Sequence, residues 1–205
     1  MKIAVYGATG QVGSKVVAEA VRRGHGVTAV NRHEAPAPPG ATSAIGDAAD
    51  VDAVRHVAAA HDVVVSALGP SREPGGDPGA FVGVVRGLIT AVGSTRLVVV
   101  GGAGSLLAAP GVRLIDTPDF PEEFKAEGLA QAQALEVLRD AGPELEWTYV
   151  SPAPIVEDGE RTGAYVSGLD EPVGLRLRFA DWAVALLDEI DTPAHRRQRF
   201  TVASP

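Results

Sequence analysis

The chain has 205 residues, of which 45% are hydrophobic and 21% charged, so it holds ample apolar material for a core and is not a disordered polymer. Its 18 Lys and Arg against 26 Asp and Glu leave a formal charge of −8, which argues against a nucleic-acid partner and against binding to an anionic membrane surface. It contains no cysteine, which excludes disulfides, thiolate metal ligands and a cysteine nucleophile, and its five histidines show no His-x-x-His or His-Glu-x-x-His spacing, so no metal site is expected.

The first glycine comes at position 7, too early for the apolar segment of a signal peptide. No run approaches the roughly 18 apolar residues of a membrane span, and the expected location is the cytoplasm. Short apolar runs at 3–6, 27–30, 63–66, 97–100 and 147–150, rich in β-branched or aromatic residues, predict strands. Segments of helical period at 11–23, 51–59, 78–92 and 121–140 alternate with them, the last carrying Leu129, Ala132, Leu135 and Leu138 at intervals of three. Strands apolar on both faces and separated by helices imply a doubly wound α/β parallel sheet with right-handed crossovers. Beyond residue 150 the pattern changes to a Pro-bearing turn, a hairpin or extended stretch at 162–168 and 175–178, a helix at 180–189 and a last strand at 199–202. That is too little for a second core. The expectation is one domain over 1–205, with 151–205 as a small cap over the C-terminal edge of the sheet. The Pro- and Gly-rich stretches 34–40 and 69–79 read as loops on the ligand side, the second able to act as a lid. The cluster His195, Arg196, Arg197 and Arg199 reads as a solvated turn in an acidic protein, and Trp182 as a core residue.

The strongest chemical signal is Gly7-Ala8-Thr9-Gly10-Gln11-Val12-Gly13, directly after the first strand and opening the first helix. The glycines meet three physical needs, which are a tight turn, close approach of backbone to a pyrophosphate, and close packing of helix on sheet, with phosphate at the helix N-terminus. The bland alternative is an ordinary strand-to-helix turn, but the α/β alternation around it favours dinucleotide binding.

This spacing resembles the atypical short-chain dehydrogenase/reductase superfamily, whose members open with a Thr-Gly-x-x-Gly turn. The resemblance covers nearly the whole chain through Gly46-Asp47, the run Val98 to Gly104, and Trp147 to Pro152. Within the superfamily it is most similar to the NmrA-like and flavin/biliverdin-reductase-like branch, because Ser151-Pro152-Ala153-Pro154-Ile155 is followed by Thr162-Gly163-Ala164-Tyr165. The resemblance implies a Rossmann fold and a nicotinamide cofactor. At the end of the second strand, where NAD enzymes place a carboxylate, the chain reads Asn31-Arg32-His33; the guanidinium of Arg32 suits a 2′-phosphate and points to NADPH. His33 reads as a surface neighbour. The resemblance places Asp47 and Ala48 at the adenine, although Asp47 would serve equally as an Asx turn or helix cap. It places Ser66, Ala67, Leu68 and Gly69 along the pyrophosphate and ribose, Gly101, Gly102 and Ala103 at the nicotinamide, and the backbone of Pro152, Ala153 and Pro154 beside it.

Short-chain dehydrogenases use a Ser or Thr with a Tyr and a Lys four residues later, the phenol passing a proton during hydride transfer. This set is missing: the serine position is Ala103, the tyrosine region reads Phe120 to Gly128 with Phe124 in place of a proton donor, and Lys125 lies about 100° round the helix from the expected partner. The catalytic residues are therefore unassigned, with Ser105 and Tyr165 as weak candidates and Arg161 beside the turn expected to cover the nicotinamide. Two readings stay open. One is an NADPH-dependent reductase passing hydride directly to a small planar acceptor, a flavin, quinone or conjugated carbonyl, with any flavin as substrate rather than prosthetic group. The other is a non-catalytic NADPH-binding sensor or regulator of the NmrA kind, which would add a protein partner.

Overall fold

In the computed structural model, which describes residues 1–71 and 77–205, the chain runs β1 (Lys2–Tyr6), α1 (Gln11–Arg22), β2 (Gly26–Asn31), β3 (Thr42–Ile45), α2 (Val51–Ala59), β4 (Val63–Ser66), α3 (Ala80–Val92) and β5 (Arg96–Val100). A ribbon of β6 (Leu107–Ala109) and β7 (Val112–Arg113) follows, then α4 (Lys125–Arg139), β8 (Trp147–Pro152), β9 (Ile155–Glu157), β10 (Val166–Gly168), β11 (Arg176–Arg178), α5 (Phe179–Asp191) and β12 (Gln198–Ala203). The lid expected at 69–79 falls in part outside the described residues.

The main sheet has eight strands in the order β10-β12-β8-β5-β4-β1-β2-β3, all parallel except β10. From β1 the chain builds outward through β2 and β3, then returns to β1 and builds the other way through β4, β5, β8 and β12. The strand order thus reverses beside β1. Its central strands are buried on both faces, which is why they read as continuous apolar runs: Ile3, Val5, Val65, Val98 and Val150 face one layer, and Tyr6, Val64, Val99 and Tyr149 the other. Helices α1 and α5 cover the first face, α2, α3 and α4 the second. The start of α2 is fixed by Asp50, whose carboxylate accepts from the backbone N–H of Asp52 and Ala53 at 3.0 Å each. Packing of the two layers is reinforced by a buried pair, Arg96 to Glu189 at 2.6 Å, which joins β5 to α5; burial lowers the Arg96 pKa, against the opposing pull of Glu189.

In the tail, of the hairpin or extended stretch expected at 162–168 and 175–178 the extended form is found: β10 pairs antiparallel with β12, and β11 pairs parallel with β9. Residues 151–205, read from sequence as a cap, give β12 and β10 to the main sheet and α5 to the α1 layer. The reason is apolar complementarity, since Phe200 and Val202 of β12 and Ala183, Leu186 and Ile190 of α5 join the same core as Val16 and Val17 of α1. The cluster at 195–199 is likewise no solvated turn. Arg197, at φ 56°, donates to the carbonyls of Ala141, Gly142 and Leu145, His195 bonds Glu189, and Arg199 is 5% exposed and paired with Asp170. In α4 the buried stripe includes Ala132, Leu135 and Leu138 but leaves Leu129 exposed, and a 3₁₀ turn over Glu122–Phe124 precedes the helix. Trp182 is buried in the core. Among the described residues no helix is long and apolar enough to cross a membrane, and no cluster of His, Asp and Glu is placed to hold a metal ion.

Candidate functional site

The strand order reverses between β1 and β4, and the C-terminal ends of strands at such a reversal are where open α/β sheets take ligands. The glycine turn lies at that edge, directly after β1. Gly7 has φ +76°, and a Cβ there would sit 2.7 Å from the carbonyl oxygen of Ala67, at the end of β4. A Cβ at Gly13 would lie 2.1 Å from the Gly7 carbonyl oxygen, and one at Gly10 would lie 3.3 Å from it. The three glycines therefore let β1, α1 and the end of β4 close on one another. Gly10 caps α1 without a side chain, the first intrahelical bond is from Ser14 to Gly10 at 3.0 Å, and the first turn carries no acid. The preceding N–H groups, with Thr9, Gly10 and Gln11 exposed and Val12 packed on the core, form an anion-seeking helix end backed by a cradle too tight for side chains.

On the β2 side, Arg32 and His33 are exposed, and among the described residues the Arg32 guanidinium has no hydrogen-bond or ion-pair partner. Asn31 is buried, with Nδ2 unpartnered among the described residues. Its carbonyl accepts from Gly46 at 2.9 Å, which brings Asp47 to the same edge. Asp47 is exposed and forms an Asx turn, accepting from Ala49 N–H at 2.9 Å, while the helix cap falls to Asp50. Ala48 is buried in the α2 and α3 layer.

On the other side, Ser66 is fully buried on the same face as Val64, so its hydroxyl points into the core, where it has no partner among the described residues. Ala67 and Leu68 instead bring backbone and a partly buried side chain against Gly7. Beyond them, a Cβ at Gly101 would strike the Tyr149 ring at 2.0 Å, and Gly102 N–H donates to Tyr149 Oη at 3.1 Å. Tyr149 Oη in turn donates to Gln131, with the backbone oxygen at 3.0 Å and Oε1 at 3.1 Å. Burial pushes the Tyr149 phenol far above its ordinary pKa, and it stays protonated. The next residue, Ala103, is partly exposed; across from it Pro152 ends β8, Ala153 is buried in the α1 and α5 core, and Pro154 is exposed.

The weak catalytic candidates are not brought to this edge as free groups. Ser105 is buried and accepts from Arg199 at 3.2 Å, which ties it to β12. Tyr165 donates to Asp188 at 2.9 Å, and burial followed by that carboxylate pushes its pKa up to about 12. Asp188 pairs with Arg23, just past the C-terminal end of α1, whereas the glycine turn opens the N-terminal end of that 12-residue helix. Arg161 is bound to Glu19 at 2.8 Å, and Thr162 and Gly163 are held by Asp181. The turn at 162–165 thus packs on the α1 and α5 flank, correcting the expectation that Tyr165 covers the nicotinamide. Lys125 pairs with Glu122 at 3.2 Å beside the exposed ring of Phe124. Sequence reading passed over Gln131; its only signal was a glutamine among the small and apolar residues that α4 buries.

The sequence matches the NAD(P)H-binding protein family over residues 7–193. It is 36% identical over 215 residues to the protein YwnB of Bacillus subtilis, covering 100% of this chain and 99% of that one. Among solved structures, SP1627 of Streptococcus pneumoniae, described as a candidate NADH-flavin reductase, superposes with a TM-score of 0.91 at 35% identity and covers both chains completely. A candidate epimerase from Bacteroides thetaiotaomicron superposes with a TM-score of 0.87 at 34% identity, covering 99% of this chain and 96% of its own.

Proposed function

We propose a function from the premise that the chain belongs to the NAD(P)H-binding family and is an atypical short-chain dehydrogenase/reductase: it is an NADPH-dependent reductase of a small planar acceptor such as a flavin or quinone. The pyrophosphate would rest on the N–H groups that open α1, in the cradle left by Gly7, Gly10 and Gly13. The unpartnered guanidinium of Arg32 would take the 2′-phosphate, and Asp47 the adenosine side of the same edge. Gly101, Gly102 and Ala103, opposite the backbone of Pro152 and Pro154, would form the shelf for a flat ring. The bound nicotinamide supplies a hydride.

The observations that support the reading are that Tyr165 gives its proton to Asp188, that Ser105 is buried and held by Arg199, and that Tyr149, buried at the ligand edge, gives its proton to Gln131. An acceptor that draws its proton from solvent after hydride transfer suits such a site; an alcohol or sugar substrate, which needs a placed acid or base, does not. The similarity to a candidate NADH-flavin reductase supports the same class of acceptor.

The test begins with side-by-side titration of NADPH and NADH, followed by a panel of flavins and quinones assayed for NADPH oxidation. The expected result is tighter binding of NADPH and acceptor-dependent oxidation that Ala103→Phe abolishes by filling the ring face. Binding without oxidation across the panel would favour the sensor, and binding of neither nucleotide would sink both.

A further inference from the structure

The outer part of the second sheet face carries a buried cation. Arg199 of β12 stands in register beside Tyr149 of β8, and since Tyr149 faces the second helical layer, both side chains project to that side. The Arg199 side chain is only 2% exposed. Its Nη1 donates to Ser105 Oγ at 3.2 Å and its Nε to Asp170 Oδ1 at 2.9 Å, while the backbone oxygen of Asp170 accepts from Leu107 N–H at 2.8 Å. The guanidinium is thereby tied to the segment that continues from Gly101, Gly102 and Ala103.

The charge there is unevenly balanced. The Asp170 side chain, which pairs with Arg199, is 48% exposed and is shared with Arg139 at 3.5 Å; Arg139 in turn bonds Glu136 at 2.8 Å. Arg139 and Glu136 are both exposed, so water screens the rest of the group while Arg199 is screened least. Towards the ligand edge the next residues on the same face are Ser151 and Thr201. These register partners are fully buried and uncharged, with hydroxyls unpartnered among the described residues, so their row adds no counter-charge. The Tyr149 hydroxyl, which holds Gly102 N–H at 3.1 Å, lies within the field: burial dominates and raises its pKa, but the Gly102 bond, then Arg199 and Arg139, pull it down.

We propose that Arg199 is a specificity-determining residue, whose buried charge makes the ring shelf favour a flat acceptor that is an anion or becomes one. The inference rests on the reductase reading above and narrows its acceptor class. A quinone or flavin that takes up hydride gains an electron pair and a negative charge, its donor being oxidised by two electrons, and then takes a proton from water. A poorly screened cation beside the shelf stabilises that charged product more than the neutral ring that entered.

The test measures affinity rather than turnover. 2-Hydroxy-1,4-naphthoquinone, an anion at neutral pH, and the neutral 2-methyl-1,4-naphthoquinone are each titrated onto protein saturated with NADP⁺, and the ratio of the two affinities is compared between variants. Arg199→Met is expected to shift the ratio against the anion by about five- to tenfold, the effect of one poorly screened charge. Arg199→Lys, which keeps the charge, should retain most of the preference. Asp170→Asn removes the exposed counter-charge and should shift the ratio towards the anion; it tests the same charge if Arg199→Met does not fold. A ratio that neither Arg199→Met nor Asp170→Asn moves overturns the assignment, and so does a shift in Arg199→Met that Arg199→Lys shares in full, the mark of a packing role. Wild type that takes up neither NADP⁺ nor either quinone would overturn the reductase reading as well; normal wild-type binding with an unmoved ratio would overturn this assignment alone.

Discussion

Gly13 lies so close to Gly7 that a Cβ added to it would stand 2.1 Å from the Gly7 carbonyl oxygen, nearer than any non-bonded contact. The first turn of α1 is thereby pressed onto the end of β1, and its opening N–H groups have no side-chain cap. Gly13→Ala must push helix from strand, and is expected to cost about 2–3 kcal/mol, an overpacking penalty. A thermal melt would show this as a fall in Tm of roughly 5–10 °C for a chain of this size. Gly83, exposed within α3 with nothing within 4 Å of its Cβ position, is the control: Gly83→Ala should raise stability by about 0.5–1 kcal/mol.

Arg32 sits exposed at the end of β2, and no partner among the described residues would have to release it. If it takes the 2′-phosphate, Arg32→Ala should weaken NADPH by about 1.5–3 kcal/mol, roughly 10- to 150-fold, as expected for a charge-assisted contact. NADH binding should change by less than about twofold, because the phosphate is the only group that differs. Equal effects on both nucleotides in a competition titration would refute the assignment.

Ser105 and Tyr165 separate structure from chemistry. Because both hydroxyls are bonded to distant elements, Ser105→Ala and Tyr165→Phe are expected to leave the rate of acceptor-dependent NADPH oxidation within about twofold. The Tyr165 variant should instead lose about 1 kcal/mol of stability, read by denaturant unfolding, through the bond to the partly exposed Asp188. A loss of a hundredfold or more in turnover from either change would restore that residue as a proton donor.

Glu19 supplies a pH dependence. Burial alone would raise its pKa, but hydrogen bonds from Arg22, Arg161 and Arg23 outweigh it and hold the carboxyl well below its ordinary 4.5. A carboxylate depressed on folding contributes its full stabilisation above its unfolded pKa and loses it as pH falls through the folded one. Stability should thus decline as pH drops below about 4.5, and Glu19→Gln should flatten that decline. At neutral pH the same variant should cost about 1–2 kcal/mol by weakening the charge-assisted bonds of a buried carboxylate, Arg23 keeping Asp188 and Asp191 as partners. An unchanged acid slope in urea titrations at several pH values would show that Glu19 is not its source.

Much of the fold was readable before any coordinates. The strand at 63–66 and the helix at 51–59 have the bounds expected, and β1, β2, β4, β5 and β8 fall where the five apolar runs lie. The tight glycine turn was legible too, since a glycine at a positive φ or in backbone contact leaves its mark as an amino-acid type. Gln131 was not legible in the same way: a glutamine between alanines has no meaning until Tyr149 is known to stand against it.

The sequence by itself determined the alternation of strand and helix, the turn that opens α1 and the missing Tyr and Lys, because these follow from periods of two and 3.6 residues and from the conformational demands of single positions. Only the tertiary structure decided that the tail adds β10 and β12 to the sheet and α5 to its first helical layer, that Ser105 and Tyr165 are bound to distant elements, and that Gln131 of α4 stands against Tyr149. Those outcomes depend on contacts between Ser105 and Arg199, Tyr165 and Asp188, and Gln131 and Tyr149, each linking distant parts of the chain. A local pattern carries no record of which distant surface will bury it; the packing of two complete helical layers on one sheet makes that choice.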